Sequence, residues 1–305
     1  MKIVTLTLAP AFDIHCDADS INLNHENIAR ITSYDIGGKG INISKALNKF
    51  DVPNTAVVVL GNENSAIFVK ELENDNFCFH KIDVEGRIRE NITIHTQDGK
   101  ETRISFTAAT VPANTLERIE KITNKLLSFG DVLTFTGRLP DGIAVADAIA
   151  YIKRLSDKGV RIVLDSKSFS LEDVIKAAPF LIKPNEEEIS EYMGRQISDL
   201  ESCEIAARQL SARGIQNVMI TLGGRGALLC SESEIYIAHA PDVKVASTIG
   251  AGDSAIAGFL YAFAGGASPC ECLKTAVAFG SAACMSEGTA PPEQSDVRIL
   301  LEKIK

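Results

Sequence analysis

Residues 247–259 read Ser-Thr-Ile-Gly-Ala-Gly-Asp-Ser-Ala-Ile-Ala-Gly-Phe, a turn of small residues that leads into an apolar run of helical character. The start of a helix attracts anions through its unpaired N–H groups and its positive dipole end. Gly250, Ala251 and Gly252 would let a phosphate approach the backbone, because little side chain stands in the way. Asp253 is badly placed to bind such an anion and well placed to take a proton. The stretch therefore indicates phosphoryl transfer to a hydroxyl, with Asp253 as the base and residues 250–252 as the anion hole, although an ordinary glycine turn has the same pattern.

The rest of the chain alternates short apolar runs with helical patterns. Continuous apolar runs bounded by turn residues are typical of strands that are buried on both faces. The runs that we interpret as strands are Ile3–Leu8, Val57–Leu60, Val132–Phe135, Ile162–Leu164, Phe180–Ile182 and Val218–Leu222. Strands and helices in alternation predict an α/β fold with a mostly parallel central sheet and helices on both sides, in which ligands bind beyond the carboxyl ends of the strands.

Two stretches interrupt this alternation. Residues from about 10 to 36 are polar with scattered Ile and Leu, and residues from about 86 to 108 have the period of two that a β-hairpin requires, around Gln97-Asp98-Gly99. We predict one α/β domain over residues 1–305 with an inserted β lid from about 10–36 and 86–108. Such an insertion would serve as a lid, as an oligomer surface, or as both.

Composition and charge narrow the class of partners. The 305 residues carry a formal net charge of −9, which disfavours a nucleic-acid or acidic-membrane partner, since these require a basic face. No apolar run reaches the roughly 18 residues of a membrane span and the N-terminus lacks a signal-type cleavage site, so we expect a cytoplasmic protein. The seven cysteines are scattered and predict reduced thiols, and the five histidines show no metal spacing and receive no catalytic role.

Two segments near the N-terminus offer groups that would bind a sugar. Gly37-Gly38-Lys39-Gly40-Ile41-Asn42 precedes a helical pattern, and its lysine and asparagine would supply a charge and a hydrogen-bonding amide. Asp13 follows the first predicted strand, where a carboxylate can accept two hydroxyl hydrogen bonds. A flexible turn and a solvated loop aspartate are the plain alternatives.

Two later segments suit a nucleotide. Lys183-Pro184-Asn185-Glu186-Glu187-Glu188 follows a predicted strand, and Asn185 and Glu188 would share one face of the helix that begins there. Oxygen ligands at that spacing can organise hydrated Mg²⁺, whereas a solvated acidic helix start is the alternative. The segment Thr221-Leu222-Gly223-Gly224-Arg225-Gly226-Ala227 is a glycine turn between two strands, which suits a ribose or phosphates but equally a plain hairpin.

The order of these segments along almost the whole chain resembles the ribokinase superfamily and, within it, the phosphofructokinase-B branch. The resemblance rests on residues 37–42, 183–188, 221–223 and 248–254, together with Ala278-Phe279-Gly280-Ser281-Ala282-Ala283 and Gly288-Thr289. It implies a ribokinase-like three-layer sandwich with a mostly parallel central sheet and a small β-sheet lid that also forms a homodimer. It further implies a kinase that uses ATP and Mg²⁺ to phosphorylate a sugar hydroxyl.

The resemblance also implies roles for the matching residues. Asp253 would be the base, with Gly250, Ala251 and Gly252 as the anion hole. The implied ATP site consists of Lys183, Asn185, Thr221, Gly223, Gly226 and Ser281, with Asn185 and Glu188 serving Mg²⁺ through water. The implied acceptor site consists of Asp13, Gly38, Lys39 and Asn42, with Arg89 and Asn91 of the lid on the substrate's existing phosphate.

The chain departs from this branch on the acceptor side. In this chain Ala9 replaces the usual asparagine, Arg138 replaces the serine of the usual Gly-Ser-Leu-Pro, and Thr93 replaces the usual lysine. Lys167 interrupts the usual Asp-x-Ser-Gly. We expect Arg103 and Arg138 to join Arg89 in a rearranged phosphate pocket, unless Arg138 fills space and the acceptor is smaller. The expected activity is the phosphorylation of a phosphorylated ketohexose, and fructose 1-phosphate is the first candidate for this substrate. The alternatives are tagatose 6-phosphate, an unphosphorylated sugar or nucleoside, and a non-catalytic sugar-phosphate-binding protein.

Overall fold

The computed structural model describes residues 1–304 of the chain. In that range the strands are β1 (Ile3–Thr7), β2 (Ala11–Ala18), β3 (Arg30–Gly37), β4 (Asn54–Gly61), β5 (Phe79–Val84), β6 (Arg89–Thr96), β7 (Glu101–Ile104), β8 (Val132–Thr136), β9 (Arg161–Asp165), β10 (Leu181–Ile182), β11 (Asn217–Thr221), β12 (Ala227–Ser231) and β13 (Glu234–Ala238). The α-helices are α1 (Lys39–Lys49), α2 (Ser65–Asn74), α3 (Thr115–Leu126), α4 (Val145–Asp157), α5 (Leu171–Ala177), α6 (Glu186–Met193), α7 (Leu200–Ala212), α8 (Ala251–Ala264), α9 (Pro269–Ala283) and α10 (Gln294–Leu301).

The main sheet contains nine strands in the order β13-β12-β11-β10-β9-β8-β1-β4-β5. Every pair from β11 to β5 is parallel, and β12 and β13 add an antiparallel edge. All residues of β1 and β8 are buried, as their near-continuous apolar runs require. The predicted α/β fold with a mostly parallel sheet is confirmed, and each run that we interpreted as a strand overlaps a strand of this sheet.

Helices cover both faces of the main sheet. On one face, α3 to α7 bury apolar side chains such as Ile119 and Tyr151 against the sheet. On the other face, α1, α8, α9 and α10 bury residues such as Leu47 and Phe259. Helix α8 packs between α1 and α9 and belongs to the same buried cluster as sheet residues such as Met219, and this explains why almost all of its residues are apolar or small. The three-layer sandwich implied by the family resemblance is therefore confirmed.

The second sheet contains four strands in the order β3-β2-β6-β7. Strands β2 and β6 run parallel, and the two outer pairs are antiparallel. All four strands come from the segments for which we predicted a β lid, including the polar stretch 10–36, which contributes β2 and β3. One face is buried and polar, since Asp13, His15, Asn91 and Thr93 are all buried. Tyr34 and Ile104 of the same sheet remain exposed.

Three helices begin at the carboxyl-end edge of the main sheet and bring the predicted segments together. Helix α1 follows Gly38, α6 follows Asn185, and α8 follows Gly250, which adopts a left-handed φ of 79°. Glycine tolerates that conformation without steric cost. No helix within residues 1–304 is long and apolar enough to cross a membrane.

Candidate active site

A network of buried charges surrounds the start of α8. The Asn42 amide donates a hydrogen bond from Nδ2 to Asp253 Oδ2 at 2.8 Å. Beside it, Lys39 Nζ donates to Asp165 Oδ2 at 2.8 Å, and Lys183 Nζ lies 3.9 Å from the same oxygen. The predicted acceptor-site, catalytic and ATP-site residues of this region therefore meet in one cluster.

Asp253 has the environment of a general base. It is buried, and burial is the main reason why its pKa rises from 3.8 to about 6. Lys39 and the hydrogen bond from Asn42 act in the opposite direction, while Asp165 adds to the rise. A carboxylate with a pKa near 6 is ionised at neutral pH and is a stronger base than an exposed aspartate.

Asp165 is a site residue to which sequence reasoning assigned no role. Burial alone would raise its pKa, but the ammonium groups of Lys183 and Lys39 lower it below the ordinary value. The carboxylate is therefore ionised, accepts the hydrogen bond of Lys39 and attracts the ammonium of Lys183. Its position at the end of β9 was the available signal, because that edge of the sheet is where ligands bind.

The small residues before Asp253 leave the backbone accessible. A Cβ on Gly252 would lie 3.0 Å from Lys183 Nζ, so this glycine brings the first turn of α8 against the ammonium. Gly250 is the N-cap and carries no side chain that could occupy the free N–H groups of the helix start. The backbone and Lys183 together offer an environment that stabilises an anion.

The predicted acceptor residues of the lid converge on Asp13. Asn91 Nδ2 donates to Asp13 Oδ1 at 3.0 Å, and Arg103 Nη2 donates to the same oxygen at 2.8 Å. The pairing of β2 with β6 places Asp13 opposite Asn91. The second oxygen, Oδ2, faces Gly37, where a side chain would collide with it. Two donors thus orient the carboxylate, and its other oxygen is left to accept from a ligand hydroxyl.

Arg89 adds a partly buried cation near this carboxylate. Its guanidinium donates to Ala9 O at 3.2 Å and to Phe106 O at 3.1 Å. Burial lowers its pKa, and the nearby charges of Arg103 and Arg138 lower it further. Its Nε is buried and has no hydrogen-bond partner within residues 1–304. A buried donor without a partner fits an anionic ligand, because a phosphate oxygen would satisfy it.

A cavity of about 310 Å³ extends from the start of α8 to the glycine turn after β11. Its lining includes Asn185, Thr221, Gly223, Gly226, Thr248, Gly252 and Ser281, together with apolar Met219, Val243 and Val245. Apolar walls with a few polar groups are typical of a small-ligand site. Gly226 has a φ of 106°, and a Cβ there would lie 2.7 Å from Ala240 N, so the narrow turn requires glycine. The residue composition fits a nucleotide, and the start of α8 lies at one end of this cavity.

Asn185 and Glu188 form a reciprocal cap at the start of α6. Asn185 Oδ1 accepts from Glu188 N at 2.8 Å, and Glu188 Oε2 accepts from Asn185 N at 3.0 Å. Asn185 lines the nucleotide-sized cavity, whereas Glu188 lines a smaller one of about 40 Å³ with Asp165 and Lys183. Glu188 Oε1 lies outside the cap, so the donor set fits a hydrated Mg²⁺, which needs few protein oxygens.

The structure gathers most of the predicted site residues. Gly38 lies at the start of α1 beside Thr7, and Ser281 lies on α9 at the wall of the larger cavity. Arg138 is exposed, and its charge is close enough to affect Arg89. Its guanidinium therefore belongs to the same positive region, at the solvent side of the acceptor residues.

Comparison with known proteins gives concordant matches. A family model described as pfkB family carbohydrate kinase matches residues 7–296. The chain is 31% identical to 1-phosphofructokinase of Haemophilus influenzae, over 100% of this chain and 97% of that protein. It is 31% identical to tagatose-6-phosphate kinase of Staphylococcus epidermidis, over 94% and 93% of the two chains. Phosphofructokinase-2 of Escherichia coli, crystallised with substrates and products, has a similar structure, with a TM-score of 0.93, 26% identity and 99% coverage of both chains.

Proposed function

The chain belongs to the pfkB family of carbohydrate kinases and is a phosphotransferase that acts on a sugar hydroxyl, and we propose that its acceptor is a phosphorylated ketohexose and its donor is ATP. The observation that carries the proposal is the buried Asp253 at the start of α8, with a pKa of about 6 and a backbone anion site directly before it. Base and anion site are thereby fixed on one rigid element, as transfer to a hydroxyl requires.

Each group of the site has a task in the transfer. The Asp253 carboxylate takes the proton of the attacking hydroxyl, and Asn42 holds Oδ2 of that carboxylate in place. The N–H groups of residues 250–252 and the Lys183 ammonium stabilise the negative charge that develops on the transferred group. Asp165 keeps Lys39 and Lys183 beside this point.

Bound Mg²⁺ would neutralise part of the phosphate charge. Glu188, through Oε1, and Asn185 would hold that ion through its waters. The adjoining cavity, lined by Thr221, Gly226 and Ser281, would hold the nucleoside part of ATP.

The proposed identity of the acceptor rests on side chains of the lid. Asp13 Oδ2 is oriented to accept from a sugar hydroxyl, and the orphaned Nε of Arg89 supports an acceptor that already carries a phosphate. Arg103 and Arg138 add positive charge to the same region of an acidic protein. Fructose 1-phosphate is the proposed substrate, since relatives that match the whole chain are named 1-phosphofructokinase. Tagatose 6-phosphate is the second candidate, on the strength of the tagatose-6-phosphate kinase match.

The exposed face of the lid supports a homodimer. Ile31, Tyr34, Ile104 and Phe106 are all at least 37% exposed on or beside the small sheet. Exposed apolar side chains gathered in one region are typical of an interface. We expect Ile104→Asp to shift the sedimentation coefficient to that of a monomer, whereas Ile299→Asp, at a site 51% exposed on α10, should leave it unchanged. A wild-type protein that sediments as a monomer at micromolar concentration would contradict the dimer.

The activity is tested by ADP release over a panel of acceptors with ATP and Mg²⁺. The panel contains fructose 1-phosphate, tagatose 6-phosphate, fructose 6-phosphate, fructose, ribose and adenosine. We expect one phosphorylated ketohexose to be preferred, and Asp253→Asn to lose about 10²- to 10⁴-fold in kcat because the base is gone. Asp157→Asn, at an exposed position of α4, is the matched control and should keep wild-type turnover. Turnover of unphosphorylated acceptors alone, or full activity in Asp253→Asn, would refute the proposal.

A further inference from the structure

Lys167 is a charged residue beside the site that the proposed transfer does not use. Its Nζ lies 3.8 Å from Glu187 Oε2 and 3.8 Å from Glu188 Oε1. Both distances exceed the roughly 2.7–3.2 Å of a hydrogen bond with an N–H donor. The ammonium is thus attracted by two carboxylates without being bonded tightly to either of them. Its side chain is 43% exposed and has room to move.

Glu188 offers the ammonium one particular oxygen. Its Oε2 accepts from Asn185 N at 3.0 Å, and this hydrogen bond fixes the orientation of the carboxylate. The other oxygen, Oε1, faces Lys167. The Glu188 side chain is only 13% exposed, whereas that of Glu187 is 72% exposed, so the Glu188 charge is the less screened of the two. Lys167 therefore lies next to Glu188 Oε1, the oxygen to which a hydrated divalent ion would bind.

The neighbouring lysines differ from Lys167 in their partners. Lys39 donates a 2.8 Å hydrogen bond to the buried carboxylate of Asp165, and Lys183, whose side chain is only 7% exposed, lies 3.9 Å from the same oxygen. Lys167 lines the cavity of about 40 Å³ together with Glu188, and that volume accommodates water molecules such as those around a metal ion. An ammonium and a divalent cation at the same carboxylate repel each other.

We propose that Lys167 is a built-in cation that competes with free divalent metal ions at Glu188. The inference rests on the proposed function, because it assigns Glu188 to the metal. Without a nucleotide, the ammonium neutralises Glu188 and disfavours a second cation. The phosphates of ATP bring negative charge that compensates both cations, so the metal binds together with the nucleotide. Lys167 thereby selects metal–nucleotide over the free metal ion.

The experiment measures Mn²⁺ binding to the nucleotide-free protein, with unbound Mn²⁺ counted by electron paramagnetic resonance. Removing one positive charge beside the ion should tighten Mn²⁺ binding about 3- to 10-fold in Lys167→Ala, after allowance for solvent screening. Lys167→Arg keeps the charge and should bind as wild type does. Lys70→Ala, on the exposed side of α2, removes the same net charge far from the site and should also match wild type.

A double variant shows where the effect acts. The gain in Lys167→Ala should vanish in Lys167→Ala/Glu188→Gln, because the carboxylate that attracts the ion is gone. Equal or weaker Mn²⁺ binding by Lys167→Ala than by wild type overturns the proposal, as does a gain that survives Glu188→Gln. Thermal unfolding verifies that each variant is folded. The measurement contains neither nucleotide nor acceptor, so its failure is distinct from a failure of the kinase assay with Asp253→Asn.

Discussion

Replacing the proposed base should stabilise the protein at neutral pH. Burial, the largest cause, raises the pKa of Asp253 from 3.8 to about 6, and Lys39 and Asn42 offset only part of this rise. In the native state this carboxyl keeps its proton over a pH range in which the unfolded chain has released it. Since the native state binds more protons there, the free energy of unfolding falls as pH increases from 3.8 to about 6.

The size of the effect follows from the two pKa values. A shift from 3.8 to about 6 corresponds to about 3 kcal/mol of stability that is present below pH 3.8 and absent above pH 6. About 2 kcal/mol of this loss falls between pH 4.5 and 7.5. Asparagine cannot ionise, so Asp253→Asn does not suffer the loss. Carboxyls with lowered pKa values, such as Asp165, are present in both proteins, and their own pH dependence largely cancels in the comparison.

The assay is urea unfolding followed by circular dichroism at pH 4.5, 6.0 and 7.5. The free energy of unfolding of Asp253→Asn minus that of wild type should increase by about 2 kcal/mol across this range. The exposed control Asp157→Asn should show a difference that does not grow in this way. A difference for Asp253→Asn that stays constant with pH, or a variant less stable than wild type at pH 7.5, would refute the argument that burial destabilises the ionised base.

Three further predictions concern catalysis and ligand binding. The kcat/KM of wild type, which reports the free enzyme, should fall about tenfold per pH unit below about 6, because only ionised Asp253 accepts a proton, and a flat profile between pH 5 and 8 would contradict this. Arg89→Ala should raise the KM for the phosphorylated acceptor about 10- to 100-fold and leave the KM for ATP unchanged. Both KM values come from initial rates with each substrate varied in turn, and a raised KM for ATP beside an unchanged KM for the acceptor would contradict this prediction. Gly226→Ala should weaken ADP binding in calorimetry and cost about 1–3 kcal/mol of stability, because φ is 106° and its Cβ would collide with Ala238 O; wild-type ADP affinity would argue against the assigned cavity.

Much of the fold could be predicted from local sequence. Strands such as β1 and β8 are short, mostly apolar runs between turn residues. Both of their faces are buried, so their sequences are nearly continuous in apolar residues and do not alternate with polar ones. The hairpin of β6 and β7 was visible in its period of two. For β2 and β3 only a β segment from about 10 to 36 was predicted, without strand bounds, because the face of β2 that carries Asp13 and His15 is buried although it is polar. Its partners come from other strands, and a single segment cannot reveal them.

In the site, too, some features could be predicted from local sequence and others depend on contacts between distant segments. The proposed anion hole and the proposed base follow from the stretch 250–253 alone, because a backbone turn and one side chain suffice to suggest them. The reciprocal cap of Asn185 and Glu188 was foreseen only as two residues on one helix face. The role of Asp165 was missed, since a carboxylate at a strand end becomes informative only once two lysines are seen beside it.

The sequence by itself determined the alternation of strands and helices, the position of the proposed phosphate-binding turn and the identity of the proposed base, because each depends on neighbouring residues and on the period of apolar side chains. Only the tertiary structure decided how these parts act together. Asn42 reaches Asp253 across 211 positions of the chain, and Arg103 reaches Asp13 across 90. Burial then raises the pKa of Asp253, and burial depends on the packing of the whole fold around it. Spacing along the chain carries no information on such contacts, since the sheet topology alone brings their partners together.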